Sequence, residues 1–507
     1  MLDVAIIGGG HNGLVAACYL AKSGLQVRLF EASEHLGGAT ASEKVFDGID
    51  ARLSRYSYLV SLLPDEIVRD LGLNFETISR RISSFTPYRS EDGGDHGLLI
   101  SNDWSEAESV FSSLGLEGEA HSWRSFYDQI ASVAPSIAGT FLSPLPSRDE
   151  MRKLIGSEAF DLLFTTPLGH TLLDRFQDDR VRGIVLTDAL IGTFTDACDP
   201  GLLANRCFLY HLVGNGDGQW RVPRGGMGAL VAELRRVALS YGVTIETNRR
   251  VVSIDETVIH LADESVEARF IVAACSPAEL ARLRGSESRV TLTQGSQVKI
   301  NMVLQRLPRL RSGVDSKDAF AGTFHIDESY DQLQRAFTQA SSGSLPDQIP
   351  AEIYCHTLTD SSILAPELVA AGYQTLTLFA LHTPYDLFVE ENERVKGEVR
   401  RRLFDQINAY LIDPLEECLA RDGNGDLAIE IKSPIDLEEE IGLPLGNIFH
   451  ADLTFPWRED HETIRWGSET EFENIFLAGA GSRRGGGVSG IGGQNAAMAI
   501  LERLSLI

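Results

Sequence analysis

A glycine-spaced turn between a strand and a helix constrains this chain more than any other segment. Residues 3–7 (DVAII) are a short apolar run of strand type, and Gly8-Gly9-Gly10-His11-Asn12-Gly13 follows. Residues 14–22 then carry apolar side chains at helical spacing until Gly24 stops them. Residues 26–30 alternate as a second strand that ends on Glu31. The pattern predicts a βαβ unit. Gly8 allows the tight turn, Gly10 lets a pyrophosphate reach the backbone, and Gly13 lets helix and strand close up. The helix N-terminus presents free N–H groups and partial positive charge to the phosphates. Glu31 is placed to accept both hydroxyls of a ribose. A glycine turn that binds nothing has no need of strand, helix and acid together in this order.

After Glu31 the chain reads Ala32-Ser33-Glu34-His35-Leu36-Gly37-Gly38. The pair Gly37-Gly38 lets a second backbone segment approach the phosphates. This extension resembles the FAD-binding entry of glutathione-reductase-like flavoproteins more than an NAD dehydrogenase. Arg52 and Arg55 follow as candidate phosphate contacts, with a solvated surface position as the competing reading of each.

The C-terminus repeats the theme. Residues 474–478 (NIFLA) form a strand that runs into GAGSRRGGGVSGIGGQNAA, with eight glycines between Gly479 and Gly493. So many glycines would ruin an ordinary helix, but they suit a loop that wraps a flat ligand at backbone distance. A helix starting near Gly490 would aim its N-terminus at that ligand and favour a reduced, anionic flavin ring. Arg483 and Arg484 are placed to add positive charge there.

At 507 residues, length alone suggests three units of about 150 residues or one two-lobed enzyme. The formal charge is −27, from 45 basic and 72 acidic residues, and only seven residues are lysine. That balance argues against a nucleic-acid partner and against tight binding to an anionic bilayer, although a peripheral membrane contact stays open. Apolar content of 43% excludes a disordered chain. No run reaches the roughly 18 apolar residues of a spanning helix, and the first residues lack the basic region of a secretory signal. Six scattered cysteines with no CxxC disfavour zinc and dithiol chemistry, so free thiols in the cytoplasm are expected.

Between the two ends, residues 158–213 read as buried helices and residues 226–241 as an amphipathic helix. Runs at 243–247, 251–254, 258–261 and 269–273 predict a small antiparallel sheet returning to the main one. Residues 297–304 predict a strand, and residues 330–340 and 390–411 predict helices. Residues 56–150 do not segment clearly.

GGGHNGL, the acid Glu31, Gly37-Gly38, QWRVPRGGMGAL (219–230), GLPLGNIFHADL (442–453) and the terminal glycine cluster together resemble the FAD-dependent phytoene-desaturase-like oxidoreductases. The resemblance covers both ends and several internal blocks. It implies an α/β fold: a glutathione-reductase-like FAD-binding Rossmann domain from residues 1–75, 220–295 and 445–507, with an interleaved α+β substrate domain from 76–219 and 296–444. It further implies that Gly8, Gly10, Gly13 and Glu31 serve the ADP half of FAD and that Gly37 and Gly38 meet the pyrophosphate. Val251 or Val252 would meet the adenine, Gly226 and Met227 would lie near the flavin, and Gly479, Gly486, Gly487 and Val488 would hold the ribityl chain and ring. Relatives carry His-Pro where this chain has Arg483-Arg484, which changes charge and stiffness beside the proposed flavin site.

The flavin itself supplies the redox chemistry, so protein groups are sought around it. Lys299 interrupts an apolar strand. In amine-oxidase-like flavoenzymes a lysine on a similar strand holds a water near flavin N5; a lysine on a polar strand face is the competing reading. His450 follows an apolar run as a candidate ring contact or a satisfied core histidine. Trp220, Tyr56 and Arg483 are candidate substrate contacts. No second dinucleotide turn follows a strand, so oxygen or a quinone is the expected electron acceptor. The expected activity is hydride removal from a C–C or C–N bond of a small apolar substrate, isoprenoid or aromatic. The alternatives are an FAD-retaining binding protein without turnover and a flavin amine oxidase.

Overall fold

The strand Leu2–Ile7 runs through the middle of a parallel sheet, with Ser265–Ala273 on one side and Val27–Phe30 on the other. Its last four residues are buried, as befits a strand covered on both faces. The computed structural model describes residues 1–288 and 290–505. Thr244–Glu246 extends this sheet beyond Val27–Phe30, and Ile475–Leu477 extends it beyond Ser265–Ala273, both in parallel. Ser253–Asp255 pairs antiparallel with Val258–His260, which pairs antiparallel with the first residues of Ser265–Ala273. The run at 243–247 therefore belongs to the main sheet rather than to the small antiparallel one. The helix Gly228–Ser240 precedes it and supplies the crossover that a parallel neighbour requires.

His11–Lys22, Gly228–Ser240 and Ile491–Arg503 pack on one face of this sheet. The first and last helices touch backbone to backbone: a Cβ on Gly493 would stand 2.1 Å from the Asn12 carbonyl oxygen. The two ends of the chain thus meet at one place.

A second seven-stranded sheet runs Ile429–Lys432, Val298–Leu304, Gln374–Ala380, Ala351–Tyr354, Thr323–Ile326, Ile82–Arg89, Asp95–Ser101 in spatial order. Every pairing is antiparallel except that of Thr323–Ile326 with Ile82–Arg89. Val298, Ile300, Met302 and Leu304 pack beneath it against Val399, Leu403 and Phe404 of the helix Asn392–Asn408. The alternate residues Lys299 and Asn301 face the other way, toward the first sheet. A layer of helices from residues 104–213 closes the side of the second sheet around Phe126, Phe160, Phe176 and Phe208. The unsegmented stretch 56–150 holds the hairpin Ile82–Arg89/Asp95–Ser101 and the helices Trp104–Ser113 and Glu117–Ala138. No helix among the described residues is long and apolar enough to cross a membrane.

Candidate functional site

The C-terminal ends of the parallel strands and the upper face of the second sheet enclose a cavity of about 540 Å³, within the usual range of ligand sites. Its first wall comes from the glycine turn. Gly8 adopts φ +102°, and a Cβ on Gly13 would lie 2.1 Å from the Gly8 carbonyl oxygen, so turn and helix meet without side chains between them. Glu31 receives the Gly9 N–H on Oε2 at 2.7 Å and the Ser33 N–H on Oε1 at 2.8 Å. Those bonds fix the carboxylate at the cavity edge and leave a lone pair on each oxygen. Gly37 donates its N–H to the Gly9 carbonyl at 3.0 Å, which brings Gly37 and Gly38 beside Gly10 at the same wall.

The C-terminal loop supplies the second wall through Gly479, Gly486, Gly487 and Val488. His450 closes in from the segment before it. Its backbone is left-handed, φ +65°, an uncommon conformation for a residue with a side chain. Burial pulls its imidazole down to about 4, so the ring is neutral at neutral pH. His11 is likewise held near 4 by burial and by His450. His450 Nδ1, His11 Nε2, Asn12 Oδ1 and Gln297 Nε2 are buried and have no hydrogen-bond partner in the protein, and all four residues line the cavity. Buried polar atoms are rarely left unpaired. Donors and acceptors here therefore await a polar ligand, and a dinucleotide with a heteroaromatic ring fits them.

The third wall is the second sheet. Lys299 is buried, donates to the Ser54 carbonyl at 2.6 Å and the Ser57 carbonyl at 3.2 Å, and stands 5.2 Å from the Phe379 ring centre. Burial drives its ammonium down to about 7, opposed in part by Glu430. Trp220 stacks on His211 at 5.1 Å and faces the cavity. Tyr56 lies at the mouth and donates its hydroxyl to Glu440 at 2.7 Å.

Several expected contacts lie elsewhere. Arg52 is exposed on the strand Arg52–Ser54, outside the cavity. Arg55 is spent on ion pairs with Glu43 and Glu430. Val252 is 44% exposed and bonds to His260, while the buried Val251 faces the cavity in its place. Gly226 and Met227 stand behind the wall: Met227 is fully buried and donates its N–H to Ser54 Oγ at 3.0 Å, and Gly226 packs on Ser42 and Ser54. Arg483 turns to Glu462 and to the Trp457 carbonyl. Arg484, with φ +63°, directs its guanidinium to the carbonyls of Thr140, Ser143 and Trp466 at 2.5, 2.8 and 2.9 Å. Its burial pulls it down to about 10. The arginine pair thus bolts the loop to residues 140–143 and 457–466, and neither charge lines the cavity. Glu352, Tyr354 and Phe379 line it instead. Glu352 carried a signal like that of Lys299, a charge inside the apolar strand Ala351–Tyr354.

Residues 13–313 match the family described as flavin containing amine oxidoreductase. An uncharacterized protein of Mycobacterium tuberculosis is 43% identical over 99% of this chain and 97% of its own length. Pyridine nucleotide-disulfide oxidoreductase domain-containing protein 2 of Rattus norvegicus is 29% identical over 99% of this chain and 94% of its own. Among solved structures, a putrescine oxidase variant aligns with a TM-score of 0.57 at 19% identity, covering 100% of this chain and 98% of that one. Its likeness is one of fold.

Proposed function

The chain belongs to the flavin containing amine oxidoreductases and is an FAD-dependent oxidoreductase, and from that premise we propose that it removes a hydride from a C–C or C–N bond of an apolar substrate, isoprenoid or aromatic. Residues 1–75, 220–295 and 445–507 hold the cofactor in this reading, and residues 76–219 and 296–444 hold the substrate. Glu31 takes the ribose hydroxyls, the turns Gly8–Gly10 and Gly37–Gly38 take the pyrophosphate, and the Val251 backbone meets the adenine. Gly479, Gly486, Gly487, Val488 and His450 receive the ribityl chain and ring. FAD, when bound, supplies a two-electron acceptor.

The observation that carries the substrate class is the apolar share of the cavity wall. Leu62, Ile191, Ile448, Phe449, Tyr354 and Phe379 all line the cavity, a surface that excludes water and orients a flat or branched hydrocarbon. Lys299 braces that wall through the Ser54 and Ser57 carbonyls. Amine oxidation is the second reading. It draws on Lys299, whose ammonium gives up its proton near pH 7, and on Glu438, Glu439 and Glu440, which line the cavity and attract a cationic amine. Oxygen or a quinone takes the electrons onward. The six free cysteines suit a reducing, cytoplasmic setting.

The test is anaerobic mixing of the FAD-loaded enzyme with isoprenoid, aromatic and amine compounds while flavin absorbance is followed. Bleaching by an apolar hydrocarbon and not by amines supports the first reading. Bleaching by amines alone, lost in Lys299→Met, replaces it with the second. An enzyme that no compound bleaches, and whose photoreduced flavin no acceptor reoxidises, is a binding protein.

A further inference from the structure

Strand register draws a row of side chains across the cavity wall. Lys299 pairs with Phe379, Phe379 with Glu352, and Glu352 with His325, so all four share one face of the second sheet. Behind Glu352 lies a hydrogen-bonded line of buried groups. Tyr354 donates its hydroxyl to Glu352 Oε2. Thr187 Oγ1 stands 3.0 Å from Glu352 Oε1 and 3.3 Å from Glu328 Oε1, and His325 Nδ1 contacts Glu328 Oε2. Thr187 reaches both carboxyls because its helix, Asp179–Thr187, lies directly on the chain at Glu328: a Cβ on Gly183 would sit 1.8 Å from the Glu328 carbonyl oxygen.

The direction of these bonds follows from proton counting. A threonine hydroxyl has one proton, so it donates to one carboxyl and must accept from the other. One of the two glutamates therefore carries a proton. Asp188, at the end of the same helix, adds a third carboxyl, and the Arg80 guanidinium, 5.8 Å from the Tyr354 ring, is the cation facing the group. The helix C-terminus is a partial negative charge that further disfavours ionised carboxylates. Burial holds Glu328 well above the carboxylate range and brings Glu352 to about 7. The buried thiol of Cys207 also faces this cluster and is raised, hence neutral. One arrangement satisfies every member: His325 N–H to Glu328, Glu328 O–H to Thr187, Thr187 O–H to Glu352, and Tyr354 O–H to Glu352. All donors point toward Glu352, the carboxyl of this cluster that lines the cavity.

We propose that Glu352 is the catalytic base of the oxidation, and that Thr187, Glu328 and Tyr354 position its carboxylate. This rests on the reading of the site as one that removes two hydrogens from a substrate. One substrate C–H or N–H bond breaks with its proton going to a Glu352 oxygen. The electron pair it leaves forms the new double bond as the second hydrogen departs as hydride to the bound cofactor. The Glu352 proton returns to water when product leaves.

An infrared pH titration of the FAD-loaded enzyme tests the arrangement without any substrate, so its failure leaves the proposed reaction standing. The wild type shows protonated-carboxyl absorbance with one component that disappears with a midpoint near 7 and another, from Asp188, that disappears near 8, and Glu352→Gln abolishes the first. Thr187→Val moves the midpoint up by about one to two pH units through loss of a donor to a charged group, and Thr187→Ser restores it. With a compound that bleaches the flavin, the wild-type rate rises through the same midpoint. In Glu352→Gln it is flat and about a hundredfold or more slower. The proposal is overturned if no carboxyl titrates near 7, if the component near 7 survives in Glu352→Gln, if Thr187→Val leaves its midpoint in place, or if Glu352→Gln bleaches at the wild-type rate.

Discussion

Replacing Lys299 with methionine should change the pH dependence of stability in a way that isolates this one buried ammonium. In the fold, Lys299 loses its proton near 7 rather than at the ordinary 10.5, because burial strips its hydration. Below pH 7 both folded and unfolded chains carry the proton, and the fold bears the full cost. Between pH 7 and 10.5 the unfolded chain holds more protons than the folded one, so stability rises with pH over that window. At about 1.36 kcal/mol per pH unit, the whole effect is roughly 4–5 kcal/mol. Lys299→Met removes that cost but leaves the Ser54 and Ser57 carbonyls without their donor, at about 1–3 kcal/mol each. The two effects nearly cancel at pH 7, where the variant should match the wild type within about 2 kcal/mol. By pH 10 the wild type has shed the cost and the variant falls behind by several kcal/mol. Urea unfolding of both proteins, each saturated with FAD, reads the gap at successive pH values. A gap that stays constant from pH 7 to pH 10 would refute the buried, charge-penalised lysine.

Gly13→Ala puts a Cβ 2.1 Å from the Gly8 carbonyl oxygen. The turn must open, and FAD affinity should drop by about tenfold or more, read as flavin content after purification and by titration with FAD. Glu31→Ala removes the acceptor for two backbone N–H groups and for the ribose. Titration calorimetry should show FAD binding weakened by about tenfold to a hundredfold. Arg484→Met strands three carbonyls and should cost about 3–5 kcal/mol in thermal or urea unfolding. Arg483→Met gives up a half-buried pair with Glu462 and should cost about 1 kcal/mol by the same measurement.

The glycine-built walls of the cavity were legible because they are written in backbone geometry. Gly8, Gly13, Gly37 and the Gly479–Gly493 loop are needed where chain meets chain or chain meets ligand, and such positions leave glycines at fixed spacings. Glu31 could be placed because it ends a strand. Side chains whose targets lie far along the chain were not legible. Arg483 and Arg484 stand beside the glycine loop in sequence, yet their partners are Glu462 and the carbonyls of residues 140, 143 and 466. Val251 and Val252 alternate across a backbone, and only the local bend decides which one faces the cavity. The run at 243–247 looked like part of an antiparallel meander, because short β-rich runs carry no mark of strand direction.

The sequence by itself determined that each end of the chain forms a strand, a glycine turn and a helix, since these are local patterns whose meaning does not depend on the rest of the fold. Lys299 stood out for the same local reason, as a charge in an apolar strand. The tertiary structure alone decided what surrounds it. Strand register puts Phe379 beside Lys299 and Glu352 beside Phe379, although 80 and 53 residues respectively separate them from Lys299 in the chain, and helix packing brings Thr187 onto Glu352. Register and packing are sums over many distant contacts, none of which leaves a pattern in the neighbouring residues.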